Sequence, residues 1–354
     1  MPASIRVSLF IPHIMNCEGF VFQLPSGLQF AANRYTPANR HPNSAACSFL
    51  FAHCTSAHKE QWEITIEKLF NLASNDIHEA WAVDCQSHGA SAVLNADMLT
   101  SHTLIGIEEY AFLLHWFIEH GPIRGDSCVA VGHSSSTSAW VLACTLSPSV
   151  PLRALVLIEP VMISFPDHQD LIDLGKARVK FVAERRDKWK DNEELSSWMN
   201  RRHPWKTWDP RILEIHLASR HGFRKISLDG REMLTPKCPT IQESRLYTHE
   251  PHVLAGQELH KICSRIPVHV LFAESADFVS PKARSATCDA SAGRVMASIS
   301  IIPHTGHLAV QEQPESHRCL DFQCRLRESP SLKIFPGAEN FRISLRYFQP
   351  MEMA

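Results

Sequence analysis

The 354-residue chain lacks the motifs of most cofactor chemistry. It has no G-x-G-x-x-G, no Walker loop and no H-E-x-x-H, which leaves no dinucleotide fingerprint, phosphate cradle or helical zinc pair to build on. No internal repeat is present, so a solenoid or propeller is not expected. Charge of one sign is also lacking. The formal net charge is −2, and bulk electrostatics give no reason to expect nucleic acid or an acidic membrane as partner. No C-x-x-C pair occurs among the eleven cysteines. An odd, scattered set points to reduced thiols and a cytosol-like compartment rather than a disulfide framework. Long apolar runs are missing too. The patch from Val7 to Met15 is interrupted by Pro12 and His13, is too short for a membrane span and has no evident cleavage site. These absences imply a cytoplasmic enzyme acting on a small molecule, without bound metal or cofactor.

What is present begins with Ser127-Cys128-Val129-Ala130-Val131-Gly132-His133-Ser134-Ser135-Ser136. The apolar run Cys128 to Val131 reads as a buried strand. Beyond Ser136, Ala139, Val141, Leu142 and Leu146 are spaced as on a helix. A strand, sharp turn and helix with serine at the apex expose the Ser134 hydroxyl at the carboxyl end of the sheet. The same turn aims the following N–H, that of Ser135, at the place where an oxyanion would form. Strand and helix approach closely there, so small residues are needed on both sides. Gly132 supplies one; the second is Ser136, where glycine is usual. Ser136 also fits a small-x-Ser-x-small frame, but the strand ends at Val131-Gly132, which favours Ser134. A serine that merely caps the helix is the plainer alternative.

A serine nucleophile needs a histidine on a separate loop. The stretch Ala297 to Leu308 reads as a strand running into a Gly-containing loop that presents His307, with His304 as the second choice. Two acids compete to orient that histidine. Asp277 follows the run Val268 to Ala273, the commoner arrangement for such a sheet, and is preferred. Glu159 follows Ala154 to Ile158, one strand after the nucleophile. Both lie at carboxyl ends of strands. The second oxyanion donor is expected from the loop after Ser48 to His53, with the Thr55 N–H as candidate. Cys54 occupies a position where glycine is common; as a nucleophile it is a weaker choice, since buried cysteine usually packs as a small hydrophobe.

Together these pieces resemble the α/β-hydrolase fold, and within it the fungal toxin- and secondary-metabolite-biosynthesis branch, whose relatives include an acyl-CoA hydrolase. The likeness spans roughly residues 20 to 320. It rests on the elbow, on His53 to Trp62, on Leu155-Val156-Leu157-Ile158-Glu159-Pro160, on Pro204-Trp205-Lys206-Thr207-Trp208-Asp209-Pro210, and on His304 to Pro314. In that acyl-CoA hydrolase the acid follows the strand after the elbow, which implies Glu159 here. Members of the branch often end in a peroxisomal tripeptide. This chain ends Glu352-Met353-Ala354, so that address is not expected.

The resulting expectation is an α/β fold with a mostly parallel eight-stranded sheet covered by helices on both faces. Residues 1–161 and 263–326 would form the core, 162–262 a helical lid inserted after the sixth strand, and 327–354 an extension of no assigned structure. Strands are expected near 20–24, 28–35, 48–53, 78–84, 127–132, 153–158, 267–273 and 297–303. Helices are expected near 59–73, 103–120, 135–147, 281–291 and 313–325. Trp189, Trp198, Trp205 and Trp208 fall in the inserted stretch, as lid core or as a roof over a bulky acyl group. Its basic residues alternate with acids, as on a solvated helix surface. The chemistry expected is hydrolysis of a carboxylic ester or acyl thioester through an acyl-enzyme on Ser134. An acyltransferase or cyclase using the same serine with an alcohol acceptor, or an inactive binding protein on the same fold, are the alternatives.

Overall fold

The computed structural model describes residues 15–38, 46–100, 102–125, 127–147, 150–163, 169–218 and 221–316. The expected extension 327–354 and most of the expected helix 313–325 lie outside them. Eight strands form one sheet: β1 (Met15–Gln23), β2 (Gln29–Pro37), β3 (Cys47–Ala52), β4 (Ile77–Val83), β5 (Cys128–His133), β6 (Leu152–Ile158), β9 (Val268–Ala273) and β10 (Ser298–Ile302). Their order is β1-β2-β4-β3-β5-β6-β9-β10. The β1–β2 and β2–β4 pairs are antiparallel, and the remaining pairs are parallel.

Side-chain alternation explains why the central strands read as continuous apolar runs. Leu50, Ala130, Leu155, Leu157, Val268 and Val270 point into one core layer. Phe49, Phe51, Val129, Val131, Val156 and Leu271 point into the other. Both faces are covered, so the middle positions of these strands are almost all apolar. The first layer is closed by α3 (Ile107–His120), α4 (Ser135–Ala143) and α9 (His249–Cys263). The second includes α1 (Glu63–Ala73), through Ile66, Leu69 and Phe70. A short α2 (Gly89–Leu94) follows β4.

Between β6 and β9 lie α5 (Gln169–Glu184), α6 (Asn192–Met199), α7 (Pro210–Leu217), β7 (Phe223–Leu228), β8 (Arg231–Pro236), α8 (Thr240–Arg245) and α9. Two features add to the helical lid expected over 162–262. A hairpin, β7–β8, turns at Asp229 and Gly230, both with positive φ, as a two-residue turn with Asp-Gly favours. And α9 belongs to the sheet-covering core: Ala255, Leu259 and Ile262 pack in the same layer as Ala139 and Leu142, and the His252 ring bonds the Ser138 hydroxyl at 2.8 Å. The four tryptophans gather in a separate small core with Ile64, Phe223 and Leu234. The chain then returns through β9, α10 (Pro281–Thr287), β10 and α11 (Ala309–Glu312).

Buried histidines are expected to make the fold acid-sensitive. Burial holds His53 down to about 4, His133 to about 3 and His252 to about 4. The unfolded chain protonates these rings near 6.5 while the folded chain keeps them neutral, so stability is full above pH 6.5 and falls as pH drops toward 4. Glu63, raised by burial to about 7, works in the opposite sense between 4.5 and 7 and offsets part of the loss. The melting temperature is expected to be lower at pH 5 than at pH 7.5 by about 5 °C or more. A flat or rising profile over that interval would remove the histidines as the acid-labile element.

Candidate active site

The turn between β5 and α4 holds Ser134 at φ 55° and ψ −120°, a left-handed backbone that side-chain-bearing residues adopt only where the surroundings impose it. Close approach is visible at Gly132, where a Cβ would lie 2.7 Å from Trp140 Cδ1 and 3.1 Å from the Ser136 carbonyl oxygen. Ser136 fits as the second small residue because its hydroxyl has local work. It accepts the His133 N–H at 2.8 Å and lies 2.8 Å from the Ala52 carbonyl. That hydroxyl therefore ties β5 to β3 and does not face the cavity chemistry.

Ser134 Oγ lies 2.8 Å from His307 Nε2. On the other side of the ring, Nδ1 lies 2.9 Å from Glu159 Oε2. Glu159 is fully buried at the end of β6 with φ 48°. Its second oxygen accepts the Ala273 N–H at 2.7 Å and an Arg284 N–H at 3.2 Å. With the carboxylate accepting from Nδ1–H, Nε2 is left as the acceptor for the serine hydroxyl. The structure thus brings Ser134, His307 and Glu159 into one hydrogen-bonded chain.

Asp277, the acid preferred from sequence, is placed differently. Its carboxylate accepts the backbone N–H of His307 at 3.0 Å, and the imidazole Nδ1 goes to Glu159 instead. The physical reason is loop geometry. Asp277 lies past the end of β9 against Gly306, where a Cβ would meet its Oδ2 at 2.5 Å. It braces the main chain of the histidine loop. His304 is exposed and lies 3.4 Å from Glu274, and among the described residues the Ser134 hydroxyl pairs with His307 instead.

Three further residues hold the imidazole, and the sequence reading missed them all. The neutral His133 ring donates from Nε2 to the His307 carbonyl at 2.9 Å. Phe278 stacks flat on the His307 ring, with centroids 4.0 Å apart and planes 12° apart. Arg284 anchors Glu159. His133 sits inside the elbow motif, the one signal that could have found it; nothing in the sequence marks Phe278 or Arg284.

The loop after β3 carries the expected second donor. The Thr55 N–H donates to the Ser135 hydroxyl at 2.9 Å, so that hydroxyl must turn aside before the amide can meet an oxyanion. The Ser135 N–H lies at the start of α4, among the first-turn amides that no carbonyl of the helix can accept. His53 fixes the loop: its Nδ1–H donates to the Cys54 carbonyl at 2.7 Å and its Nε2 accepts the Cys85 N–H at 3.0 Å. Burial pushes the Cys54 thiol up to about 12, and its sulfur accepts the Gln311 side-chain amide at 3.4 Å. Burial disfavours the thiolate, which argues against Cys54 as a nucleophile.

A cavity of about 770 Å³ opens over Ser134 and His307, walled on the inserted side by Arg178, Phe181, Arg185, Trp205 and Trp208. A hydroxyl hydrogen-bonded to a carboxylate-oriented imidazole, at the floor of such a cavity, is a chemical device for attack on an acyl carbon.

Comparison with known proteins agrees with this architecture. The sequence matches the model of the alpha/beta hydrolase family over residues 49–316. The chain belongs to the α/β-hydrolase family. No curated protein matches its sequence. Among solved structures, this α/β hydrolase resembles the peroxisomal α/β-hydrolase Lpx1 of Saccharomyces cerevisiae at TM-score 0.70 and 18% identity, covering 92% of each chain. It also resembles E-2-(acetamidomethylene)succinate hydrolase at TM-score 0.64 and 18% identity, over 88% of this chain and 100% of the other. An esterase of M. tuberculosis aligns at TM-score 0.59 and 16% identity, over 88% and 92%. At these identities the likeness is one of fold. Among the described residues no helix is long and apolar enough to cross a membrane.

Proposed function

We propose that this α/β hydrolase is a serine-dependent hydrolase of a carboxylic ester or acyl thioester. The observation that carries the reading is the unbroken chain from Ser134 through His307 to Glu159, with contacts of 2.8 and 2.9 Å. Ser134 attacks the acyl carbon while His307 takes its proton. Glu159 holds the imidazole in the competent tautomer and stabilises the imidazolium that forms. The Ser135 amide, joined by that of Thr55 once the Ser135 hydroxyl has turned, receives the oxyanion. His307 returns the proton to the leaving group, and water then releases the acid from the acyl-enzyme. Asp277 serves the loop and not the ring. Residues of the stretch between β6 and β9 act as a lid, with Trp205 and Trp208 forming part of its apolar roof. The sequence runs around His53, Glu159 and Trp205 favour a place in secondary metabolism, in the fungal toxin-biosynthesis branch.

The test is turnover of p-nitrophenyl esters and CoA thioesters running from acetyl to octanoyl and benzoyl. Free acid is the expected product, with or without an added alcohol. Because larger acyl groups bury more apolar area against the roof, kcat/KM is expected to rise at least tenfold from acetyl to the larger groups. Ester formation exceeding acid release in the presence of an alcohol would make the protein a transferase. No turnover of any acyl substrate would contradict the reading.

A further inference from the structure

The cavity wall carries two arginines, one on α5 and one just past its end, and only one of them is neutralised. Arg178 lies on α5 and Arg185 directly follows its last residue, Glu184; about two turns of chain separate them, and both line the cavity. Arg185 is held at both ends. Its two terminal nitrogens lie 3.0 and 2.6 Å from the two oxygens of Glu243, which also accepts the Ser56 hydroxyl. Such a forked pair satisfies both groups. Arg178 has no carboxylate within ion-pair distance among the described residues. Its guanidinium lies over the Phe278 ring, 5.3 Å from the centroid, and its Nε is buried without a hydrogen-bond partner.

The other carboxylates of the cavity are already engaged. Asp277 accepts the His307 amide. Glu312 accepts the Gly306 amide at 2.7 Å and the Thr207 hydroxyl at 2.9 Å. Phe278 therefore stands as a spacer, with the imidazole stacked on it at 4.0 Å and the Arg178 cation also against it. Stacking on an aromatic ring leaves the edge donors of a guanidinium free, and their fork matches the oxygens of a carboxylate or phosphate. A half-buried arginine placed this way is short of an anion, and the cavity leaves that place to the substrate.

We propose that Arg178 binds an anionic oxygen group of the substrate, so that the natural substrate is an acyl ester or thioester bearing a carboxylate or a phosphate one aromatic ring away from the reacting carbonyl. This rests on the reading of the cavity as the acyl site. A carboxylate would belong to the acyl chain and a phosphate to the leaving group, and two substrate pairs separate them. The first compares p-nitrophenyl hemiglutarate with its methyl-capped analogue; the second compares 2-(butyryloxy)ethyl phosphate with its dimethyl-capped analogue. In one pair the charged member is expected to be turned over at least tenfold faster in kcat/KM. Arg178→Met should abolish that preference through KM while leaving the neutral member within about threefold, and Arg178→Lys should restore part of it.

Binding supplies a readout independent of turnover. Calorimetry on the Ser134→Ala protein with glutarate, and separately with inorganic pyrophosphate, is expected to show one of them bound at least tenfold more weakly when Arg178→Met is added. Equal effects of Arg178→Met on charged and neutral substrates, or no charge preference together with no Arg178-dependent binding, would overturn the proposal. Arg178-dependent binding in a protein that hydrolyses none of the four substrates would keep the anion site and discard the hydrolase reading.

Discussion

Ser134→Ala should lower kcat for a p-nitrophenyl ester by on the order of 10⁴-fold or more, because the residues of a serine–histidine–carboxylate unit act together and loss of the nucleophile removes the acyl-enzyme route altogether. The control is built into the same turn. Ser136 also follows the strand, yet its hydroxyl is consumed between His133 and Ala52. Ser136→Ala should keep most of the activity and instead lower stability by about 1–3 kcal/mol, the cost of leaving buried backbone groups unpaired. Melting curves and kcat measured on both variants separate the two serines. A Ser134→Ala protein that retains more than a few per cent of wild-type kcat would move the nucleophile elsewhere.

The second large effect divides the two acids. Glu159→Gln places an amide where the imidazole N–H needs an acceptor, and the ring is free to take the wrong tautomer. The expected loss in kcat is on the order of 10⁴, with little change in KM. Asp277→Asn keeps a carbonyl oxygen for the His307 amide, so its loss should stay below about tenfold. Circular dichroism on both variants separates misfolding from chemistry. Equal, small losses would mean that the imidazole is oriented by neither carboxylate.

The two acids also show what the sequence carries and where it stops. The strand, turn and helix around Ser134 were legible because sheet burial and close approach each impose a residue type: apolar from Cys128 to Val131, glycine at 132. His307 was legible for the same reason, as a histidine in a loop directly after the last strand. The choice between Glu159 and Asp277 was not, since β6 and β9 are neighbours and both acids lie at the carboxyl edge of the sheet. Which one reaches Nδ1 is decided by loop conformation. Glu159 takes a positive φ that turns it under the ring, whereas Asp277 is drawn to the main chain at Gly306. The likeness to an acyl-CoA hydrolase expected from sequence implied Glu159, whereas strand order favoured Asp277.

Elsewhere the misses have local causes. The Asp229-Gly230 turn is a strong hairpin signal, obscured by the charged, helix-like composition around it. The helix after His307 was expected to begin at 313, but α11 ends at Glu312, consistent with Pro314 disfavouring helical backbone at the residue before it. The placement of α9 in the core depends on packing against α4, which periodicity alone does not reveal.

The central claim is that Ser134 is an activated nucleophile, and active-site labelling addresses it without any knowledge of the natural substrate. The native protein is treated with a fluorophosphonate, digested, and mapped by mass spectrometry. One adduct per chain is predicted, on the peptide containing Ser134, absent from Ser134→Ala and strongly slowed in Glu159→Gln. An unlabelled native protein, or an adduct that persists in Ser134→Ala, would contradict the account.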